Sequence, residues 1–220
     1  MMRSSMNIAL LMLGLLLVAC AQVKPIDSNQ TYAYTGGQIS VINDERLCYM
    51  KLQGKIVPAM KGAFSQALSN LNQRACAEKI LILSSHGGDL ATAIEVGTQI
   101  RDAQLTTDMH GYCESACSFL YIAGAKRMVH TDVSIQQECK LGVHQPTSEL
   151  FLCQCIDLPK TSPLVVQKIK NYFAQMLSEQ AREVLYQDMF ATSCKQMAYL
   201  DVQYLLKNGI ATEVASSQYR

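Results

Sequence analysis

Three short stretches carry residue types that could cooperate in acyl transfer. Ser84-Ser85-His86-Gly87-Gly88 follows a short apolar run. Glu114-Ser115-Ala116-Cys117 opens a stretch of small and apolar residues. Val143-His144-Gln145-Pro146 closes a third segment. A glycine pair has no side chain to block an open site, so its backbone N–H groups can hold the oxyanion of a tetrahedral intermediate. A serine at a helix start sits where free N–H groups and the positive dipole end favour developing negative charge. A histidine can take the serine proton near neutral pH. Taken singly, each has an ordinary use as a turn, cap or surface residue. The combination and its order give the set its weight.

The elements that must position these residues alternate between strand and helix. Leu47 to Val57 is strand-like with a glycine break. Ala59 to Arg74 places Met60, Ala63, Phe64, Ala67, Leu68 and Leu71 three and four apart, the spacing of a helix face. Lys79 to Leu83 is a short apolar strand, and Asp89 caps a helix from Leu90 to about Arg101. Leu105 to Gly111 predicts a strand, Ser115 to Ala123 a helix stopped by Gly124, and Arg127 to Val133 and Lys140 to His144 two more strands. Pro163 to Leu177 and Ser178 to Tyr186 predict helices, with Pro163 suited to a first turn. Val202 to Lys207 predicts a last helix closed by Gly209, and Ile210 to Thr212 a short strand. Such alternation predicts an α/β fold with largely parallel pairing.

The N-terminus reads as an export signal. Arg3 precedes an uncharged apolar run from Ile8 to Ala19, shorter than the roughly 20 residues that span a bilayer, as in a cleaved signal peptide. The run ends in Leu17-Val18-Ala19-Cys20, which resembles the lipobox of bacterial lipoproteins and implies lipid attachment at Cys20. Ala21 in place of an aspartate implies the outer membrane, facing the periplasm of a Gram-negative bacterium. We therefore read residues 1–19 as a lipoprotein signal peptide, 20–38 as a polar tether and 39–220 as one domain. Several acyl chains on one residue give stable anchoring.

The net charge of +1 and the lack of a basic block give no footprint for nucleic acid. Of the nine cysteines, eight remain after Cys20, an even number that in an exported chain reads as disulfides, with 105 formal pairings. Cys153 and Cys155 form a lone C-x-C without the second ligand pair of a structural zinc site, so neither metal nor cofactor is expected.

S-x-G-G, then C-x-S-A-C, then V-H-Q-P resembles the proteolytic subunit of the Clp proteases and its exported, cysteine-containing relatives. The wider fold family includes the crotonases. The resemblance runs from about Leu47 to Glu213 and is densest in SSHGGDLATAIEVGTQIRDA, GYCESACSFLYIAGAKR and LGVHQP. It implies a fold of repeated ββα units, disulfide-stabilised here. It also implies Ser115 as nucleophile, His144 as general base, and the backbone N–H groups of Gly88 and Ala116 as oxyanion donors. His86 replaces a proline frequent in the family and reads as a turn residue.

One member of the family's triad is missing. Its aspartate precedes an aromatic-Leu pair, here Tyr199-Leu200, and Lys195-Gln196-Met197-Ala198 upstream holds no carboxylate. Gln196, Asp188 and Asp201 are the candidates to support His144. Cys113 and Cys117 bracket the serine, and we expect one of them to pair with Cys139.

These readings lead to an exported serine hydrolase, an ATP-independent peptidase that cleaves peptides or unfolded proteins through a Ser115 acyl-enzyme. The alternative is a catalytically weak or inactive binding or scaffold lipoprotein. A crotonase-like acyl-thioester enzyme is a third reading, disfavoured because coenzyme A is not expected outside the cytoplasm. The expected partners are substrate, the membrane through the lipid anchor, and further copies of the chain, with no ATPase.

Overall fold

The computed structural model describes residues 29–44, 47–131, 140–146 and 162–215. The signal, Cys20, Cys139, Cys153 and Cys155 lie outside them. The described chain is a mixed α/β fold whose nine strands and six helices occur in the order expected from the sequence, with three strands added.

The sheet starts at an antiparallel hairpin, β1 (Asn29–Tyr34) and β2 (Gly37–Asp44), followed by β3 (Leu47–Gly54). From β3 to β7 the pairing is parallel. β3 pairs with β4 (Glu78–Ser85), β4 with β5 (Thr106–Glu114), and β5 with both β6 (Lys126–Val129) and β7 (Lys140–Val143). β8 (Ala198–Leu200) returns antiparallel along β7, and β9 (Glu213–Val214) pairs with β6. The helices are α1 (Met60–Asn72), α2 (Leu90–Asp102), α3 (Ala116–Ile122), α4 (Pro163–Met176), α5 (Glu179–Ala191) and α6 (Val202–Lys207). Parallel neighbours need a crossover, and α1 and α2 supply it between β3, β4 and β5.

Local chemistry explains the boundaries. Asp89 caps α2 by accepting from the Thr92 N–H at 2.7 Å, and Ser178 caps α5 by accepting from the Ala181 N–H at 3.3 Å. The apolar stripe of α1 (Met60, Ala63, Phe64, Ala67, Leu71) is buried, and α2 lies against α3. Gly97 on α2 leaves room for the Tyr172 ring of α4, whose hydroxyl donates to the Phe119 carbonyl of α3 at 2.8 Å.

Three expectations are corrected. Polarity placed 20–38 in a tether, but Asn29–Tyr34 is a paired strand that begins the sheet. Ile210 and Ala211 do not open a strand. Their N–H groups fold back onto the Leu205 carbonyl and close α6, so the strand falls later, at Glu213–Val214. Finally, Cys113 pairs with Cys117 rather than either pairing with Cys139, because the chain reverses tightly enough to bring their Cα atoms within 5.0 Å. Cys48 pairs with Cys76, tying β3 to the segment between α1 and β4. Cys194 is also disulfide-bonded.

Candidate active site

The parallel strands β4 and β5 end side by side, and the two predicted turns follow at those ends. After β4 the chain runs through His86, Gly87 and Gly88 into α2. After β5 it turns at Ser115 into α3. β7 lies beside the end of β5, with Glu114 paired to Gly142, and delivers His144 just past its last residue.

Ser115 has φ 54° and ψ −122°. A non-glycine residue there costs on the order of 1–3 kcal/mol and persists only where its surroundings enforce it. They do so here. The Ser115 N–H donates to the Gly142 carbonyl at 2.9 Å. The Ser115 carbonyl accepts from the Ser118 N–H at 3.0 Å and from the Ser118 hydroxyl at 2.7 Å. The Cys113–Cys117 disulfide spans the same turn, with both cysteines fully buried. The result is a sharp strand-to-helix elbow that presents the serine side chain.

Side chains alternate along β7. Leu141 and Val143 point into the core at 0 % exposure, so Lys140, Gly142 and His144 share the opposite face. His144 Nε2 lies 2.7 Å from Ser115 Oγ. Its Nδ1 lies 2.8 Å from the carbonyl oxygen of Gln145. A carbonyl only accepts, so Nδ1 carries a proton, and a neutral ring then has its lone pair on Nε2, facing the serine. The Gln145 N–H donates to the Thr192 carbonyl at 2.9 Å, which fixes this peptide.

The glycine turn packs directly on the elbow. A Cβ on Gly87 would lie 2.8 Å from Ser115 Cβ and 3.0 Å from the Ala116 nitrogen. Gly88 (φ 147°) forms a parallel bridge with Ile56. Ile56 N–H donates to the Gly87 carbonyl at 2.9 Å, and Asp89 N–H to the Ile56 carbonyl at 2.8 Å. That pattern uses the groups flanking Gly88 and leaves the Gly88 N–H on the opposite edge. Ala116 is the first residue of α3, so its N–H has no carbonyl four residues back within the helix.

The carboxylates considered for His144 are engaged elsewhere. Asp188 accepts from the Tyr204 hydroxyl at 2.8 Å, and Asp201 caps α6 by accepting from the Tyr204 N–H at 2.8 Å. Gln196 makes no side-chain bond to His144 among the described residues. Among the described residues, the Gln145 carbonyl is the group on Nδ1.

A model of the Clp protease family matches residues 37–218. The chain belongs to the Clp protease family. No curated protein matches the chain, whereas 402 chains of solved structures do. One of these, a ClpP1 point mutant from Listeria monocytogenes, superposes with a TM-score of 0.53 at 18 % identity, covering 78 % of this chain and 92 % of that one. At that identity the likeness speaks for a shared fold. In this Clp-family chain, Ser115 and His144 are brought together and the Gly87-Gly88 turn and Ala116 lie against the same elbow.

Sequence reasoning missed one cluster beside the elbow. Glu114 is buried, with Oε2 2.6 Å from His86 Nδ1 and Oε1 accepting from the Tyr199 hydroxyl. The His86 ring also lies 5.1 Å from that of Tyr112, and Lys140 Nζ sits 5.4 Å from the Tyr199 ring centre. The bond to Glu114, reinforced by desolvation, holds the Tyr199 phenol up to about 12. A carboxylate immediately before the serine was the available signal.

Proposed function

We propose that this Clp-family chain is a serine peptidase working by acyl transfer at Ser115. The observation that carries the reading is the 2.7 Å contact between Ser115 Oγ and His144 Nε2 at a strained elbow. Ser115 Oγ attacks the scissile carbonyl as His144 Nε2 takes its proton. The N–H groups of Gly88 and Ala116 hold the resulting oxyanion. His144 then returns the proton to the leaving amine, which departs and leaves an ester on Ser115. Water activated by the same imidazole hydrolyses that ester. The Gln145 carbonyl orients the ring but carries no full negative charge to stabilise the imidazolium, so catalysis is slower than with an aspartate.

The export reading adds location and substrate. Cleavage after Ala19 would leave a lipid on Cys20 and hold the domain at the outer membrane, in the periplasm. Disulfides at Cys48–Cys76 and Cys113–Cys117 suit that oxidising compartment. No ATP-driven unfoldase works there, so the substrates are peptides or unfolded chains already accessible. We further propose that the chain assembles as a homo-oligomer. Labelled palmitate should enter the wild type and not Cys20→Ala, and light scattering should give a mass above that of one chain.

The test of the activity is hydrolysis of short peptide esters and an unfolded protein without ATP. Wild type should cleave and Ser115→Ala should not; equal rates would refute the reading. Among the described residues no carboxylate reaches His144, which favours a second reading, a binding or scaffold lipoprotein that keeps the fold. It would bind unfolded chains equally well with and without Ser115 and cleave none.

A further inference from the structure

We propose that Glu114 is a positioning residue for the Ser115–His144 pair, acting as a clamp that joins the three chain segments meeting at the site. The inference rests on the serine-peptidase reading for its kinetic consequence, though not for its geometry.

The sheet register places the clamp. Gly142 of β7 pairs on one side with Glu114 of β5 and on the other with Tyr199 of β8. Gly142 has no side chain, so the Tyr199 hydroxyl reaches the Glu114 carboxylate across β7. A Cβ there would lie 3.0 Å from Glu114 Cγ and 2.8 Å from the Met197 side chain. The second carboxylate oxygen takes His86, the residue immediately before Gly87. Glu114 itself immediately precedes Ser115, and the Gly142 carbonyl accepts the Ser115 N–H. One buried carboxylate thus holds the oxyanion turn through His86, the elbow through its own backbone, and the β7–β8 pair that delivers His144 through Tyr199.

Its surroundings make the hold firm. Glu114 is 7 % exposed, and a buried carboxylate that loses either partner is left with an uncompensated charge or lone pair. Both partners reach it from far along the chain, 28 and 85 residues away, so the cluster fixes tertiary placement rather than local turn shape. A misplacement of about 1 Å in such a site costs on the order of 100-fold in rate.

The test compares full-length wild type, Glu114→Ala, Glu114→Gln, Tyr199→Phe and Ser115→Ala. Ester-hydrolysis kinetics and the ring-nitrogen signals of His86 and His144 in NMR spectra are both read. Glu114→Ala should lower kcat about 100-fold with little change in KM. Glu114→Gln should restore part of it, since the amide still accepts from Tyr199, and Tyr199→Phe should cost a smaller factor. In Glu114→Ala the His144 signals should move along with those of His86. If Glu114→Ala does not fold, the two milder variants carry the same comparison. A kcat within about twofold of wild type, or NMR changes confined to His86, would overturn the clamp. If wild type and Ser115→Ala hydrolyse equally, the peptidase reading fails, and the His144 signals alone decide whether the clamp exists.

Discussion

The Nδ1 of His144 rests 2.8 Å from the carbonyl oxygen of its own neighbour, Gln145. This contact selects the tautomer that leaves Nε2 open to Ser115, and among the described residues no carboxylate takes part. A backbone carbonyl supplies direction and a partial charge, whereas an aspartate supplies a full charge that grows in value as the imidazolium forms.

That difference can be tested by adding the charge back. Continuing the β7–β8 register one residue beyond Val143 and Ala198 sets Met197 opposite His144. Met197→Asp should raise the acylation rate at least about tenfold, within the range a triad aspartate commands. Stopped-flow ester hydrolysis would measure it, and an unchanged rate would mean that the Gln145 carbonyl already holds the ring fully.

Gly88 offers a backbone test. Its φ of 147° disfavours any side chain, and a Cβ would run into the Ile56 carbonyl. Gly88→Ala should destabilise the fold by about 1–3 kcal/mol and abolish acylation by shifting the proposed oxyanion donor. Urea unfolding and active-site titration report the two effects separately; an Ala variant with full activity would remove Gly88 from the oxyanion assignment.

The two disulfides should separate stability from rate. Cys48 and Cys76 are 28 residues apart and Cys113 and Cys117 only 4, so loop-closure entropy predicts about 3–4 kcal/mol for the first bridge and about 2 kcal/mol for the second. Replacing Cys48 and Cys76 by alanine should cost more in melting temperature. Replacing Cys113 and Cys117 should cost more in acylation rate, because that bridge spans the Ser115 elbow. The reverse ranking would contradict a positioning role for the Cys113–Cys117 bridge.

Tyr199 reports on Glu114 spectroscopically. Its phenol is held up to about 12 by the Glu114 bond, against an ordinary 10. A phenol raised on folding stabilises fully below pH 10, and that contribution disappears as pH rises through about 12. Glu114→Gln should bring one tyrosine back toward the ordinary range in ultraviolet titration of tyrosinate. An unchanged titration curve would mean that Glu114 does not hold the phenol.

Much of this arrangement was legible in the sequence because it is local. The apolar run of β4, the glycine turn and the Asp89 cap are contiguous, and each follows from the conformations its residues allow. Ser115 and His144 were legible only as a pair of motifs. Their contact depends on β5 and β7 pairing in parallel register, which no local pattern fixes. β8 was missed because its three residues (Ala198–Leu200) are too few to show a period. β1 was missed because its mostly exposed residues read as a tether. The Cys113–Cys117 pair was hidden by the sharpness of the elbow, and Glu114 by partners that lie far away in the chain.

The most direct test of the central claim is covalent. Purified wild-type protein treated with a fluorophosphonate should gain one adduct mass, and peptide mapping should place it on Ser115. Ser115→Ala should gain none, and His144→Ala should react orders of magnitude more slowly. Equal labelling of wild type and Ser115→Ala, or an adduct on another residue, would contradict a Ser115 nucleophile.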